Sequence, residues 1–468
     1  MDRAADPSGD RALYVVMHWP FLVLLGIGIV LRAIAMVAYR PILLLQSDGY
    51  VYLQKAIDLE PAQLRPVFYS FFLRPFIEVH SLTLLAGAQH LLGIGMAVLL
   101  YVALARRGVG RGWAAASTVP LLLDGYQLNI EHYLLSETLF QALVVAAVVL
   151  LTWSDRLGLA AAAAAGLLLA AAALTRFIGL VGIAIAFLYL LLYKRNLRSL
   201  VVFSISVLVP LLLYAAWFSS FYGTFALTNR GGYFLYGRVA PFAECDWNVP
   251  KTQRVLCDTR DRADRPGHNH YVFSSDSPIE RLEVPHGRTR NEVLNDFSLG
   301  VIMHEPGRYL GTVGADVLHT LSPFRYTGPK DARLDLWRFP RRSDVLRDRA
   351  FLVRRHQASP PPVVDETRFR IAPDAATFLR AYQSLVYLYG PLLLLFLIAA
   401  VTGWLKTRGR DRHGGDALFF AAMGTALMLV PFFTINFDYR FITPAVPLLP
   451  PAAALGLTAL TRAGTQAT

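Results

Sequence analysis

The chain has 468 residues, 55% hydrophobic and 17% charged, with a mean hydropathy of +0.42. Globular proteins carry about a quarter charged residues, so this balance excludes an ordinary soluble enzyme and a disordered chain. Forty-five Lys plus Arg against 33 Asp plus Glu give a net charge of +12, and only five of the basic residues are Lys. The Arg bias fits a GC-rich genome. Short cytoplasmic loops collect basic residues, so the charge points to membrane orientation rather than to nucleic acid.

Runs of about 17 to 25 mostly apolar residues read as membrane spans. Ten are predicted, near 14–39, 81–105, 113–126, 137–153, 157–174, 177–193, 200–222, 382–405, 417–435 and 442–461. Loop 106–112 holds Arg106, Arg107 and Arg111, loop 194–199 holds Lys194, Arg195 and Arg198, and loop 406–416 holds Lys406, Arg408, Arg410 and Arg412. All three fall on one side in this count, which makes that side the cytoplasm. The first span is too long for a cleaved signal peptide, and no small-residue cleavage site follows Tyr39. Both termini are then inside. The expectation is an all-α, polytopic membrane protein in three parts: an N-terminal membrane module over 1–222, an outward domain over 223–381 and C-terminal membrane helices over 382–468.

Three segments face outward. The first, 40–80, mixes apolar, aromatic and charged residues in Val51-Tyr52-Leu53-Gln54-Lys55 and Val67-Phe68-Tyr69-Ser70-Phe71-Phe72, as amphipathic helices lying in the interface do. The second is 126–137. The third, 223–381, is long enough for a small domain. It opens with Gly231-Gly232-Tyr233-Phe234-Leu235-Tyr236-Gly237-Arg238, predicts a short helix at 290–305 and ends in an Arg- and Pro-rich stretch where Pro360, Pro361 and Pro362 oppose regular structure. Cys245 and Cys257 both lie here, twelve residues apart. An oxidising outer face makes them a disulfide; two free thiols are the alternative, and no His at short spacing suggests zinc.

Ionisable groups at a membrane boundary need a reason, since each costs a few kcal/mol at the bilayer centre. Asp48, just beyond the first span, reads equally as a general base and as a helix cap. Glu131, His132 and Glu137 gather at the outer start of the fourth span. Glu137 could bind acceptor hydroxyls or assist Asp48, while Ser136-Glu137 also reads as a helix start. Arg65, Arg176 and Arg440 lie at the outer boundary, where a guanidinium can grip a lipid phosphate or simply snorkel to head groups. Arg32, inside the first span, has no partner visible in the sequence.

Several short motifs share an order. Asp48 with Tyr50 and Tyr52 behind it, then Leu64-Arg65-Pro66-Val67-Phe68-Tyr69, resembles the Asp…Arg-Pro-Pro-x-Tyr-Pro pattern of the first outer loop of GT-C glycosyltransferases. Leu134-Leu135-Ser136-Glu137 is similar to their Leu-x-Ser-Glu element, and Leu174-Thr175-Arg176 to their Leu-Thr-Arg-Pro turn with Phe177 in place of Pro. Asp438-Tyr439-Arg440-Phe441-Ile442-Thr443-Pro444 is similar to the Tyr-Arg-Tyr-x-x-Pro start of a late span. The nearest subgroup is the polyprenyl-phosphate-sugar-dependent enzymes, including protein mannosyltransferases and aminoarabinose transferases. The Tyr233-Phe234-Leu235-Tyr236-Gly237-Arg238-Val239 stretch with the two cysteines looks like actinobacterial members of the superfamily.

The resemblance implies a GT-C fold and an inverting transfer from a polyprenyl-phosphate sugar to an extracytoplasmic hydroxyl on a glycan, glycolipid or protein. Asp48 is implied as base, with Glu137 beside it, and Arg176 and Arg440 as holders of the leaving phosphate. Arg65, Tyr69, Glu131, His132, Tyr236, Arg238 and Tyr439 complete the expected substrate-binding set. Several relatives place two acidic residues together in the first loop. Here Gly49 follows Asp48, which leaves a divalent cation without a second ligand in the motif. The competing function is a transporter or flippase for a lipid-linked sugar, although such proteins show repeats and broken spans near the midplane, whereas here the polar residues gather at one face.

Overall fold

The computed structural model describes residues 7–44, 48–325, 334–341, 369–407 and 411–465. Helices dominate it. Six are long and apolar enough to cross a membrane: His18–Ala38, Leu82–Arg106, Leu197–Tyr222, Gly390–Thr407, Arg412–Thr434 and Tyr439–Ala463. Glu137–Thr152, Leu159–Thr175 and Gly179–Lys194 are shorter apolar helices packed among them. With Arg111–Leu123 they account for the ten apolar segments of the sequence. The protein is an all-α polytopic membrane fold.

Two expected spans differ in detail. The segment at 113–126 stops at Leu123 because the Asp124 carboxylate accepts the backbone N–H groups of Tyr126 at 2.8 Å and Gln127 at 2.7 Å, which starts a second helix, Gly125–Glu131. The span expected at 382–405 is preceded by a separate helix, Pro373–Leu385, and its apolar run is Gly390–Thr407. Close packing follows from small residues. A Cβ on Gly403 would stand 2.4 Å from the Gly456 carbonyl oxygen, so helix Gly390–Thr407 can lie against Leu449–Thr465 only with glycine there.

The basic loops meet at one end of the bundle. Asp155 accepts from Arg107 at 2.7 Å and Arg412 at 3.1 Å, Lys194 donates to the Ser154 carbonyl at 2.7 Å, and His413 Nε2 donates to the Arg107 carbonyl at 2.8 Å. Helix Leu159–Thr175 runs from this end to Arg176, and its 17 residues span about 25 Å. At that far end lie helices Asp48–Asp58 and Phe68–Glu78, whose Tyr52, Leu53, Tyr69 and Leu73 form a small core with Leu82, Leu85, Leu134 and Leu139.

The block over 223–381 divides by its packing. Helices Gly231–Val239, His268–Phe273 and Arg290–His304 enclose a core of their own around Tyr236, Tyr271, Leu294 and Phe297. The helix expected at 290–305 is present, opened by a reciprocal cap between Thr289 and Glu292. Cys245 and Cys257 are joined as a disulfide, with their Cα atoms 6.2 Å apart. Farther on, Val313, Trp337, Phe339, Ala376 and Leu379 pack into the main core with the membrane helices. The three prolines 360–362 lie outside the described residues.

Candidate active site

Asp48 opens helix Asp48–Asp58 and is 4% exposed. Its position is set by the preceding chain, since the Leu43 N–H donates to the His132 carbonyl at 3.0 Å and the Leu134 N–H donates to the Leu43 carbonyl at 2.8 Å. These bonds lay residues 39–44 alongside 132–135. Gly49 belongs to the same contact: a Cβ there would stand 3.2 Å from the Leu134 carbonyl oxygen. A side chain behind Asp48 would press on this backbone carbonyl.

Five more charged residues close on this point from distant parts of the chain. Arg65 donates from Nη2 to Asp48 Oδ1 and lies 5.9 Å from the Tyr52 ring centre. Arg176, at the end of helix Leu159–Thr175, donates to Glu137 Oε1 and reaches Ser136 Oγ at 3.4 Å. Arg440 donates from Nη1 to Asp48 Oδ2 at 2.8 Å, and the same nitrogen is 4.0 Å from Glu137 Oε1. Asp438 caps the Arg440 turn, accepting the Arg440 backbone N–H at 3.0 Å, and its carboxylate is 3.3 Å from the Arg440 guanidinium. Three guanidiniums and three carboxylates thus share one site. Asp48, Arg65, Glu137, Arg176 and Arg440, all singled out in the sequence, form a single cluster; Ser136 and Asp438 were visible only as members of the motifs.

The cluster is electrically balanced but has bonds left to make. Arg65 Nε and Glu137 Oε2 are buried and have no hydrogen-bond partner among the described residues. Such atoms cost about 1–3 kcal/mol each if left unsatisfied. The donor set does not fit a divalent cation, because each carboxylate already faces guanidiniums. Its unspent donors fit an anion.

Tyr69 stands behind the cluster. It is fully buried, donates to Gln89 Oε1 at 2.7 Å and packs edge-on against Tyr52 with centroids 4.8 Å apart, while Tyr52 meets Ser136 Oγ at 3.0 Å. Tyr439 is next to Arg440 in sequence but turns toward Arg325, whose guanidinium lies over its ring at 4.7 Å. Arg325 also covers Tyr126 at 4.2 Å and Tyr387 at 4.7 Å, a cation–π cage that no local pattern announces.

Glu131 and His132 point elsewhere. Glu131 is completely buried and takes both Arg32 Nε and Arg32 Nη2 at 2.8 Å. Arg32 spends its remaining N–H groups on the carbonyls of Gly28, Leu121 and Leu122 at 3.0–3.1 Å, which explains an arginine inside the first span. Burial pushes the Glu131 carboxyl up, but Arg32 and His90 more than offset it and hold the group below the ordinary value. His90 links Glu131 to His132, with 3.0 Å on either side, and His132 Nε2 donates to the Tyr39 carbonyl at 2.9 Å. Burial, reinforced by His90, pushes His132 down to about 3, so it is neutral at physiological pH. This chain braces the segment before Glu137 and does not face the cluster.

Tyr236 and Arg238 are also apart from it. Tyr236 is buried in the separate core of the 223–381 block, donating to the Leu256 carbonyl at 2.9 Å. Arg238 is 5% exposed and pairs with Asp316 at 2.8 Å. That Tyr236 belongs to a different core was not legible in the sequence.

No family model matches the chain, and no curated protein matches it in sequence. Two solved structures are similar in shape. The crystal structure of the Archaeoglobus fulgidus oligosaccharyltransferase in the apo form has a TM-score of 0.42 and 14% identity, covering 96% of this chain and 51% of that one. The archaeal oligosaccharyltransferase AglB from the same organism, in complex with an inhibitory peptide and a dolichol-phosphate, has a TM-score of 0.40 and 12% identity, covering 97% and 52%. The chain spans about half the length of these structures. The chemistry of the site therefore rests on its own residues.

Proposed function

We propose that the protein is a membrane-embedded glycosyltransferase of the GT-C type. It moves a sugar from a polyprenyl-phosphate donor to a hydroxyl on an acceptor outside the cytoplasm. The observation that carries this reading is the cluster itself: Arg440 between Asp48 and Glu137, with Arg65 and Arg176 on either side. Three arginines at the mouth of a helical bundle suit a lipid phosphate, and two carboxylates beside them suit an attacking hydroxyl. Basic loops at the opposite end support a cytoplasmic side there and an outside position for the cluster.

The residues divide the work as follows. The donor phosphate competes with Asp48 for Arg65 and Arg440. Each guanidinium that turns to the phosphate frees an oxygen of Asp48, so donor binding itself creates the base. The acceptor oxygen attacks the anomeric carbon as its proton passes to Asp48. The bond from that carbon to the phosphate oxygen breaks, and polyprenyl phosphate leaves with the electron pair. Arg440, Arg65 and Arg176 stabilise the charge growing on it, an effect enhanced where water is excluded. Glu137 is sealed from solvent and acts through Arg176 and Arg440, which it orients.

Reconstituted vesicles test this, with radiolabelled polyprenyl-phosphate mannose and arabinose as donors and an envelope fraction as acceptor. Wild type transfers label to acceptor, and a folded Asp48→Asn variant loses about 100- to 10,000-fold of the rate. Equal transfer by the variant removes Asp48 as base, and lipid-linked sugar crossing the bilayer without transfer favours a transporter.

A further inference from the structure

Where helix Arg290–His304 turns into helix Pro306–Leu321, the outward block opens a cavity of about 420 Å³ lined by Asp246, Trp247, His304, Glu305, Gly307 and Arg308. Its aromatic wall is preassembled. The Trp247 indole stacks on the His304 ring with centroids 4.4 Å and planes 8° apart. The indole also rests on Gly300, where a Cβ would stand 2.7 Å from it. His304 is exposed, yet its Nδ1 donates to the Gly300 carbonyl at 2.8 Å, so an accessible ring is held in one orientation.

The chain reaches the cavity under constraint. Cys245 has φ +58, the left-handed region unusual for a residue with a side chain, and is tied to Cys257 by the disulfide. The next two residues are Asp246 and Trp247. Glu244 Oε1 faces the Arg262 and Arg308 guanidiniums at 3.6 and 3.7 Å, while Trp247 Nε1 is buried without a hydrogen-bond partner among the described residues. Native proteins satisfy such an atom with water or ligand.

The charges select the ligand class. Arg308 donates to Glu305 Oε2 at 2.7 Å, and Glu305 Oε1 accepts the Glu244 N–H at 2.9 Å, so those two largely cancel. Asp246 remains as an exposed carboxylate. A near-neutral cavity with a flat aromatic face, a carboxylate and a guanidinium at its rim matches a ligand with both C–H faces and hydroxyls. The cavity also connects to the site. Tyr309, next to Arg308, donates to the Phe433 carbonyl at 2.8 Å, and toward the far end of the same helix His319 packs on Phe437, which packs on Tyr439.

We propose that this cavity binds a neutral carbohydrate chain. Calling that chain the acceptor rests on the glycosyltransferase reading; binding does not. Saturation-transfer NMR on the full chain in nanodiscs, with mannotriose, galactotriose, arabinotriose and maltotriose as probes, tests it without any need for turnover. At least one probe receives saturation from wild type and binds His304→Ala about tenfold more weakly, a loss of about 1.4 kcal/mol. His304 is exposed, so this variant keeps the fold, and Asp246→Ala is a second exposed variant with the same expected loss. No transfer to any of the four sugars, or equal binding by wild type and both cavity variants, overturns the proposal, whatever the outcome of the sugar-transfer assay.

Discussion

Arg440 and Asp48 are 392 residues apart in sequence and are joined by a hydrogen bond of 2.8 Å. The late turn at Tyr439–Ala445 and helix Asp48–Asp58 are thereby made into one site. Removing the guanidinium breaks both the fold-spanning contact and the phosphate grip. Arg440→Lys keeps the charge but not the forked geometry. We expect this variant to lose about tenfold or more in transfer rate while its melting temperature stays within a few degrees of wild type, as measured by initial rates alongside thermal unfolding.

The Arg32–Glu131 pair makes a prediction about stability. Both residues are buried, and replacing Glu131 with Gln leaves the Arg32 charge inside the bundle without its counterion. Breaking a buried pair in this way costs about 3–5 kcal/mol. The double variant Arg32→Met with Glu131→Gln recovers much of that loss. Thermal unfolding of the two variants in the same detergent checks the order; equal losses would contradict it.

Gln141 lies one turn beyond Glu137 on helix Glu137–Thr152, donates to the Thr443 carbonyl in the Arg440 turn and exchanges hydrogen bonds of 3.0 Å with Gln127. It is a positioning residue for Arg440. Gln141→Leu frees the turn, and we expect a roughly tenfold fall in kcat with little change in the KM for donor, in contrast to Arg65→Gln, which raises that KM.

His268 supplies a pH dependence. It is 3% exposed in the block over 223–381, and burial, aided by the Arg238 guanidinium, pushes it down to about 3. The unfolded chain takes up a proton near pH 6.5 that the folded one does not. Stability is therefore undiminished by this group above about pH 6.5 and falls by about 1.4 kcal/mol per pH unit below it until the folded value near 3 is reached. A His268→Gln variant should show a flatter dependence of melting temperature between pH 6.5 and 5.

Much of this was legible because ordered motifs mark backbone positions. Asp48, Arg65, Glu137, Arg176 and Arg440 meet as their motif order implied, and the apolar runs located the helices. Side-chain direction was less legible. Glu131 and His132 are a few residues from Glu137, but helix Gly125–Glu131 turns them inward to Arg32 and His90, partners from other spans that no local pattern reveals. Tyr236 folds into a separate core and Arg238 pairs with Asp316, a division set by packing among helices distant in sequence.

Phosphate recognition is the central claim, and binding of the product lipid tests it most directly. In nanodiscs containing the protein, the phosphorus NMR signal of added polyprenyl phosphate should shift and broaden with wild type and with Arg308→Gln, an exposed control. It should stay at its free position with the double variant Arg65→Gln and Arg440→Gln. An unchanged signal with wild type, or the same shift with the double variant, would contradict the account.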